Sequence, residues 1–508
     1  MMPTIAVEMK KISKSFGSVV ANTDVDLDIK VGEVHALLGE NGAGKSTLMN
    51  MLSGLYAPDS GSIFIHEKEV YLNSPKDAIR NKIGMIHQHY KLIEVMSAAE
   101  NISLGKGRQL FVNQRKIEKE IADISKKYGL QIDPNKRIKD MSISEKQTVE
   151  IIKVLYGGAD ILILDEPTAV LTPQETEMLF HIIHKMKEKG CAVIIITHKL
   201  NEVMAISDRV TVLRKGKNVG TVKTSETTPK ALTDLMVGES VDLEILRGEK
   251  SPTSEKLEIM NLSAKDVDGV SVLKEITFDL CGGEILGVAG VAGSGQKELC
   301  ETIAGLYPVS TGQILYNGVN IVGLSPRQIN DKGISMSFIP EDRLGMGLVA
   351  SMDMVDNYLL KNYYKQQGLF ITRKPSAHQC EKMVEELAIK TPNIHTPIRQ
   401  LSGGNIQKVL LGREIKSNPH FLVTAYATRG LDVGSSHLIY DLLNHQKSKG
   451  VGVLYIGEDI DVLLELCDRI MVLCDGEITG IVSADEATKE EIGLMMAGKK
   501  TEREDSPC

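Results

Sequence analysis

A glycine-rich stretch that ends in lysine, serine and threonine carries side chains suited to binding phosphate. It reads Gly39-Glu40-Asn41-Gly42-Ala43-Gly44-Lys45-Ser46-Thr47 and contains the pattern G-x-x-x-x-G-K-[ST]. Glycines let main-chain N–H groups wrap around phosphates, and a helix starting here adds positive potential. Lys45 would then bind the β- and γ-phosphates of a nucleotide, and Ser46 would bind Mg²⁺.

Two acids follow an apolar run later in the chain, in Ile161-Leu162-Ile163-Leu164-Asp165-Glu166. Asp165 can hold Mg²⁺ through water, and Glu166 can polarise a water molecule that attacks phosphorus. Alone, the pair could equally be a solvated acidic turn at a strand end. A phosphate loop in the same domain favours the catalytic interpretation.

Three further residues are ambiguous when each is taken by itself. His198 follows the apolar strand AVIIIT, and a lone histidine is more often structural. Gln88 has the pattern of a surface amide, and its neighbours His87 and His89 give only a weak metal signal. Phe16 lies on a strand before the phosphate loop and could be a core residue or a platform for adenine.

The chain contains this domain pattern twice. VGEVHALLGENGAGKSTLMNMLSGLYAPDSGSIFI aligns without gaps with GGEILGVAGVAGSGQKELCETIAGLYPVSTGQILY. Lys45 then aligns with Gln296 and Ser46 with Lys297, so the second copy lacks both reactive side chains. Its glycine loop, Gly290–Gly295, could still hold an anion.

The other chemical residues of the first copy are replaced in the second as well. Ala425 stands for Asp165, Tyr426 for Glu166, Glu458 for His198, Glu341 for Gln88 and Val267 for Phe16. The second copy therefore lacks the expected metal ligand, base and platform.

A second motif is intact only in the second copy. The signature segment Leu401-Ser402-Gly403-Gly404-Asn405 precedes a helical stretch. Ser402 could cap that helix, and its free N–H groups could bind anionic oxygens. The aligned Met141-Ser142-Ile143-Ser144-Glu145 lacks the glycines whose missing Cβ lets a phosphate approach. Ser142 and Glu145 still form an S-x-x-E capping box, which predicts a helix start there.

These motifs must be positioned by short apolar strands that alternate with helices. That alternation predicts an α/β fold with a mainly parallel sheet in each copy. A helical region, residues 117–129 and 145–156, is predicted between the phosphate loop and the ILILDE strand. The expected organisation is a first domain over residues 1–240, a short polar linker over 241–256, a second domain over 257–498 and a charged, disordered tail over 499–508.

Composition excludes several classes of protein. The net charge of −8 argues against a general nucleic-acid binder. No apolar run approaches the roughly 18–20 residues that a membrane span needs. The seven cysteines lack CxxC spacing, which favours a reduced cytosol and no metal site.

The order of phosphate loop, glutamine loop, signature, DE strand and histidine resembles the ABC ATPase domain, a P-loop NTPase with an added helical subdomain. The whole chain, apart from linker and tail, resembles the fused double ATPase subunit of ABC importers for ribose, galactose and nucleosides. The resemblance is carried by GENGAGKST, AENISLG, ADILILDEPTAVLTPQE, ITHKLNEV, FIPEDR, LSGGNIQKV and TRGLDVG.

The resemblance implies roles for single residues. Phe16 would stack on adenine, Gln88 would sense Mg²⁺ and the permease, and His198 would contact the γ-phosphate. It also implies that each ATP lies between one domain's phosphate loop and the other's signature. One complete site would then combine Lys45, Ser46, Gln88, Asp165, Glu166 and His198 with Ser402, Gly403 and Gly404.

The expected function is ATP hydrolysis, with Mg²⁺, that powers a solute importer at the cytoplasmic face of the membrane. Two permease subunits would be direct partners, and an extracytoplasmic solute-binding lipoprotein an indirect one; nucleic acid would not be a partner. The runs HQHYKLI, DEPTAVLTPQE and SEKQTVEI favour nucleosides, with simple sugars as the alternative. Rivals from other classes are a soluble twin-ABC translation factor, disfavoured by the short linker, and a non-hydrolysing scaffold, disfavoured by Glu166.

Overall fold

The computed structural model describes residues 4–17, 19–87, 90–104, 114–169, 171–238, 245–366 and 370–500. The chain divides into two compact units, Met1–Asp242 and Leu243–Cys508, hereafter the first and the second unit. Within the described ranges, no helix is both long enough and apolar enough to span a membrane.

The first unit contains ten strands and eight α-helices among its described residues. The strands are β1 Ile5–Phe16, β2 Val19–Lys30, β3 Val34–Leu38, β4 Ser60–Ile65, β5 Lys68–Val70, β6 Ile83–Ile86, β7 Ile161–Asp165, β8 Ala192–Thr197, β9 Arg209–Arg214 and β10 Lys217–Lys223. The helices are α1 Lys45–Leu52, α2 Pro75–Arg80, α3 Ala98–Ser103, α4 Gln114–Tyr128, α5 Ile143–Tyr156, α6 Pro173–Glu188, α7 Leu200–Ile206 and α8 Pro229–Val237.

These strands form two sheets. The six-stranded sheet has the order β10-β9-β3-β8-β7-β6, with five parallel strands and β10 antiparallel at one edge. The prediction of a mainly parallel α/β fold is therefore confirmed. A second, antiparallel sheet of order β2-β1-β4-β5 was not predicted from the sequence.

The six-stranded sheet is buried on both faces, and strand β7 shows how. Ile161 and Ile163 pack into a core formed with α1 and the antiparallel sheet, whereas Leu162 and Leu164 pack into a core formed with helices α3 to α6. Alternate side chains of a strand point to opposite faces, so an unbroken apolar run is what a doubly covered strand requires. Asp165 is the last residue of β7 and Glu166 follows it, so the two acids begin where this burial ends.

The second unit repeats the arrangement with ten strands and eight α-helices among its described residues. The strands are β11 Lys256–Lys265, β12 Ser271–Cys281, β13 Ile285–Gly290, β14 Thr311–Tyr316, β15 Val319–Asn320, β16 Met336–Ile339, β17 Phe421–Ala425, β18 Gly452–Ile456, β19 Arg469–Cys474 and β20 Glu477–Ser483. The helices are α9 Gln296–Ile303, α10 Pro326–Asp331, α11 Met354–Asn362, α12 Lys374–Glu386, α13 Gly403–Ile415, α14 Val433–Ser448, α15 Ile460–Leu466 and α16 Lys489–Met496. Its sheets have the orders β12-β11-β14-β15 and β16-β17-β18-β13-β19-β20.

Residues 245–255, which we name the strap, form no helix or strand and bind to the second unit. The Arg247 guanidinium donates to the carbonyl of Leu464, and Asn444 bonds to both Gly248 N–H and Leu246 C=O. The fully buried Lys447 ammonium lies 2.5 Å from the Gly248 carbonyl oxygen. This part of the expected linker is therefore fastened along its length; residues 241–244 lie outside the described part of the chain, as do 501–508 of the expected tail.

Candidate functional site

The phosphate loop of the first unit runs from the end of β3 into α1. Gly44, the residue before the helix, has a φ of 96°, and a Cβ there would lie 2.5 Å from the Ala21 carbonyl oxygen. Only glycine fits both the left-handed backbone and this close approach. Helix α1 then begins at Lys45, so its N-terminal N–H groups lie where the loop ends. Ser46 is exposed and Thr47 is half-buried.

Lys45 is buried and holds the loop together by hydrogen bonds. Its ammonium donates to the carbonyl oxygens of Gly39 at 2.7 Å and Glu40 at 3.0 Å. Burial lowers the pKa of Lys45, while the nearby carboxylates Glu166 and Asp165 oppose that shift. A buried ammonium in this setting would be stabilised by phosphate oxygens.

Glu166 adopts a backbone conformation that residues other than glycine rarely adopt. Its φ is 47°, and its N–H donates to the Ile196 carbonyl oxygen at 2.9 Å. This left-handed conformation costs about 1 kcal/mol or more. It places the carboxylate beside His198, whose Nδ1 lies 2.9 Å from Glu166 Oε1.

The two adjacent acids have opposite electrostatic environments. The hydrogen bond from His198 is the main cause that lowers the pKa of Glu166, against the opposing effect of burial. Burial, followed by repulsion from Glu166, raises the pKa of Asp165 to about 6. Glu166 is therefore kept ionised as a base requires, whereas Asp165 is a carboxylate that a cation would stabilise.

The environment of Asp165 suits the magnesium site expected from the sequence. The raised pKa of Asp165 marks a half-buried anion that Lys45 offsets only in part. In the described ranges no group of three or more His, Cys, Asp or Glu side chains could hold a metal. Mg²⁺ usually takes one or two protein oxygens and completes its shell with water and substrate phosphates, so Ser46 and Asp165 would be a sufficient protein contribution.

A buried acid that sequence reasoning missed joins the ends of β7 and β8. The Glu202 carboxylate accepts hydrogen bonds from Thr168, after the DE strand, and from Thr197, before His198. Because Glu202 is only 8% exposed, these bonds fix the relative placement of the two loops. Its only sequence signal was a glutamate at the start of a helix.

Phe16 is accessible, as a platform for a base must be. Its side chain is 43% exposed at the end of β1, and its ring packs edge-on against Tyr56 with centroids 5.2 Å apart. The Lys14 ammonium lies 5.6 Å from the ring centroid. In the second unit, Val267 is fully exposed in the turn from 266 to 270, where no aromatic residue occurs.

Gln88 lies outside the described residues, and so does His89. The structure brings Lys45, Asp165, Glu166 and His198 together in the first unit. Ser402, Gly403 and Gly404 belong to the second unit.

The second unit keeps the backbone of the site and replaces its chemistry. Gly295 has a φ of 99°, and α9 starts at Gln296, whose amide donates to the Val291 carbonyl at 3.0 Å. Tyr426 has a φ of 53°, and its N–H donates to Ile456 just as Glu166 does to Ile196. The Gln296 amide therefore makes a hydrogen bond to its loop as the Lys45 ammonium does, but it carries no charge.

An ion-pair cluster takes the place of the base and histidine. Arg429 pairs with Glu341 and, at 3.0 Å, with Glu458, the residues aligned with Gln88 and His198. Its guanidinium also lies 5.8 Å from the Tyr426 ring centroid. Both carboxylates at this position thus share the guanidinium of Arg429 within the second unit.

The two signature segments start their helices differently. In the first unit Ser142 and Glu145 form the predicted capping box: Glu145 N–H donates to Ser142 Oγ at 3.2 Å, and Ser142 N–H donates to Glu145 Oε2 at 2.8 Å. In the second unit Ser402 occupies the N-cap position but makes no side-chain cap, so the expectation that it caps α13 was wrong. Its Oγ instead accepts from Asn405 Nδ2 at 2.7 Å.

This difference changes what each helix start can bind. In the first unit, the capping box engages the Glu145 N–H. Ile143 and Ser144 also carry side chains at the start of this helix. In the second unit, Gly403 and Gly404 carry no side chain, and Ser402 leaves the N–H groups at the start of α13 without a side-chain cap. Uncapped N–H groups at a helix start bind anionic oxygens.

Two regions of the chain, residues 22–169 and 273–424, match the family model described as ABC transporter. The chain is 43% identical to the guanosine import ATP-binding protein NupO of Bacillus subtilis strain 168, over 97% of each chain. It is 42% identical to the nucleoside import ATP-binding protein NupA of Lactococcus lactis subsp. cremoris, over 97% of this chain and 98% of the relative. It is also 39% identical to the glucose import ATP-binding protein TsgD13 of Haloferax volcanii, over 97% of this chain and 96% of the relative.

Proposed function

The chain belongs to the ABC transporter family, and from that premise we propose that it is the ATP-hydrolysing subunit of a nucleoside importer. The observation that carries the proposal is the division of chemistry between two units of one fold. Lys45, Asp165, Glu166 and His198 lie together in the first unit, while the second holds Gln296 and the Arg429 cluster instead.

In the proposed reaction the first unit cleaves ATP to ADP and phosphate. Lys45 and the loop N–H groups bind the phosphates, and Phe16 stacks on adenine. Glu166 accepts a proton from water as the oxygen attacks the γ-phosphorus, the bond to the β-phosphate oxygen breaks, and His198 contacts the departing phosphoryl group. Ser46, Asp165 and Gln88 would hold Mg²⁺, which would supply positive charge that screens the phosphates.

We further propose that turnover depends on Ser402, Gly403 and Gly404. Their uncapped helix start suits phosphate oxygens, and the capping box of the first unit does not. The chain then hydrolyses ATP at one site, with domains as predicted: residues 1–240 and 257–498 joined over 241–256.

Partners follow from the import role. Two membrane permease subunits would bind the chain at the cytoplasmic face, and a solute-binding lipoprotein would deliver the solute from outside. The guanosine and nucleoside import relatives support nucleosides as solute. The glucose import relative supports simple sugars as the second candidate. Guanosine should stimulate the ATPase of the reconstituted complex more than glucose; the reverse order would make sugar the solute.

Paired substitutions in the two phosphate loops test the proposal. Lys45→Ala should abolish ATP turnover because it removes the charge that meets the β- and γ-phosphates. Gln296→Ala should change turnover little, since Gln296 only braces a loop. The measurement is steady-state ATPase of each variant in the assembled complex, and equal losses in the two variants would exclude a single working site.

A further inference from the structure

An arginine missed by the sequence reading lies beside the signature segment. Arg343 begins a short π-helical turn, Arg343–Gly347, that follows β16. The Asp342 carboxylate accepts the N–H groups of Leu344 at 3.2 Å and Gly345 at 2.8 Å, which holds the turn in place. The start of this turn therefore has a defined position relative to the sheet.

The guanidinium of Arg343 is directed toward Gly403. Its Nη2 donates to the carbonyl oxygen of Arg429, which anchors one side of the fork. Its Nη1 lies 3.5 Å from the point where a Cβ on Gly403 would be. Glu341, Asp342, Arg343, Gly403 and Arg429 help to line one cavity of about 470 Å³.

The two arginines of this cavity differ in their counter-charges. Arg429 is paired with the carboxylates of Glu341 and Glu458. Among the described residues, no carboxylate oxygen lies within 4.0 Å of the Arg343 guanidinium. Burial lowers the pKa of Arg343, and no neighbouring acid offsets that effect. Arg343 is thus a partly desolvated cation that an anion entering the cavity would neutralise.

The first unit has no cation at the aligned position. Gln88 aligns with Glu341, so Tyr90 and Arg343, which lie two residues later in their units, are also aligned. Burial, together with Glu175 and Glu150, raises the pKa of Tyr90 to about 12, so the side chain there stays neutral. The second unit, whose signature helix has no side-chain cap, therefore has a cation at this position. The first unit, whose signature helix is capped, does not.

We infer that Arg343 is a substrate-contacting residue that binds the terminal phosphate of the ATP served by the signature segment. The inference rests on the proposed function. Guanidinium presents two N–H groups in a geometry that matches two phosphate oxygens. As water attacks and the bond between the γ-phosphorus and the β-phosphate oxygen breaks, the charge spread over the γ-phosphoryl oxygens meets that fork.

The test is steady-state ATPase of Arg343→Ala, Arg343→Lys and Arg343→Gln, each in the full chain assembled with its permease subunits. Arg343→Ala should lower kcat about a hundredfold, as loss of a preorganised charge-stabilising donor does, with a smaller change in KM. Arg343→Lys should recover part of the loss because it restores the charge. Arg327→Ala is the matched control: it removes the same charge from an exposed position outside the cavity and should leave turnover near wild type.

Three outcomes separate the inference from its premise. Near-normal kcat in Arg343→Ala, with turnover lost in Ser402→Ala, would overturn the inference and leave the proposed function standing. Near-normal turnover in both Ser402→Ala and Lys45→Ala would show that the proposed function itself is wrong. A thermal midpoint far below that of the wild type would show that Arg343→Ala does not fold. Arg343→Lys and Arg343→Gln then decide, since both keep a long polar side chain and only the lysine keeps the charge. Equal turnover in those two variants would contradict the inference.

Discussion

At the scale of single residues, the two units differ in chemistry on nearly the same backbone. Glu166 and Tyr426 share a left-handed conformation and the same main-chain hydrogen bond. Lys45 and Gln296 both begin a helix and both bond to a loop carbonyl. At these positions the two units therefore differ in side-chain identity and not in loop shape.

Glu166→Gln should keep ATP bound but stop its hydrolysis, because an amide cannot accept the proton of the attacking water. The measurement is retained nucleotide beside released phosphate in the assembled complex. Hydrolysis near the wild-type rate would remove Glu166 from the role of base. Glu458→Gln serves as the control. Glu458 lies in the second unit, aligned with His198 of the first, and its substitution should leave hydrolysis nearly unchanged.

A buried carboxylate in the second unit predicts an acid-dependent loss of stability. Glu414 is 2% exposed, and burial alone would raise its pKa, but Lys361 and Arg413 outweigh burial and lower it below 4.5. Its stabilisation is therefore fully present above pH 4.5 and is lost as the pH falls through the lowered value.

Glu414→Gln should cost about 3 kcal/mol of unfolding free energy at neutral pH, because it leaves two cations without their buried partner. The difference from wild type should begin to shrink at about pH 4, where this glutamate protonates in the unfolded chain, and should shrink further as the pH falls toward the lowered pKa of the folded state. Urea unfolding at both pH values measures this. A difference that stays constant with pH would mean that the charge of Glu414 is not what stabilises the helical region.

At the scale of elements, the sequence predicted the parts whose patterns are local. The strands ILILD and AVIIIT and the helices after them lie where the alternation of apolar strands and helical stretches indicated. The antiparallel sheet was missed because the pairing that joins its two hairpins, β1–β2 and β4–β5, is between β1 and β4, which are distant in sequence. The cap at Ser402 was predicted wrongly because Asn405, three residues on, competes for its hydroxyl. The Arg343 turn was missed because its significance depends on Gly403, sixty residues away in sequence.

The strap provides an element-scale prediction with a matched control in the other unit. Lys447 and Asp468 form a buried pair, 0% and 3% exposed, under the strap, whereas the aligned Lys187 and Asp208 are 31% and 39% exposed. Lys447→Met should destabilise the chain by about 3–5 kcal/mol, since it leaves a buried carboxylate unpaired. Lys187→Met should cost about 1 kcal/mol or less. Chemical unfolding of the purified chain measures both, and similar losses would show that the strap does not bury the pair in solution.

At the scale of the whole molecule, one fold occurs twice and the chemistry is divided between the copies. The duplication and the replaced residues were evident from the sequence, because both depend on alignment alone. The pairing of Arg429 with Glu341 and Glu458 was not evident, since the sequence around an arginine in a loop does not indicate which acids it will contact. In the proposed function, turnover requires both the phosphate loop of the first unit and the signature segment of the second.

The most direct test compares Ser402→Ala with Ser142→Ala by steady-state ATPase in the assembled complex, with thermal unfolding as the stability control. Ser142 caps α5, so its loss should cost about 1 kcal/mol of stability and leave turnover within a few-fold of wild type. Ser402 makes no cap, so its loss should cost less stability but lower turnover about a hundredfold, as removal of a transition-state contact worth roughly 3 kcal/mol does. Greater loss of turnover in Ser142→Ala, or equal loss in both at matched stability, would contradict the account.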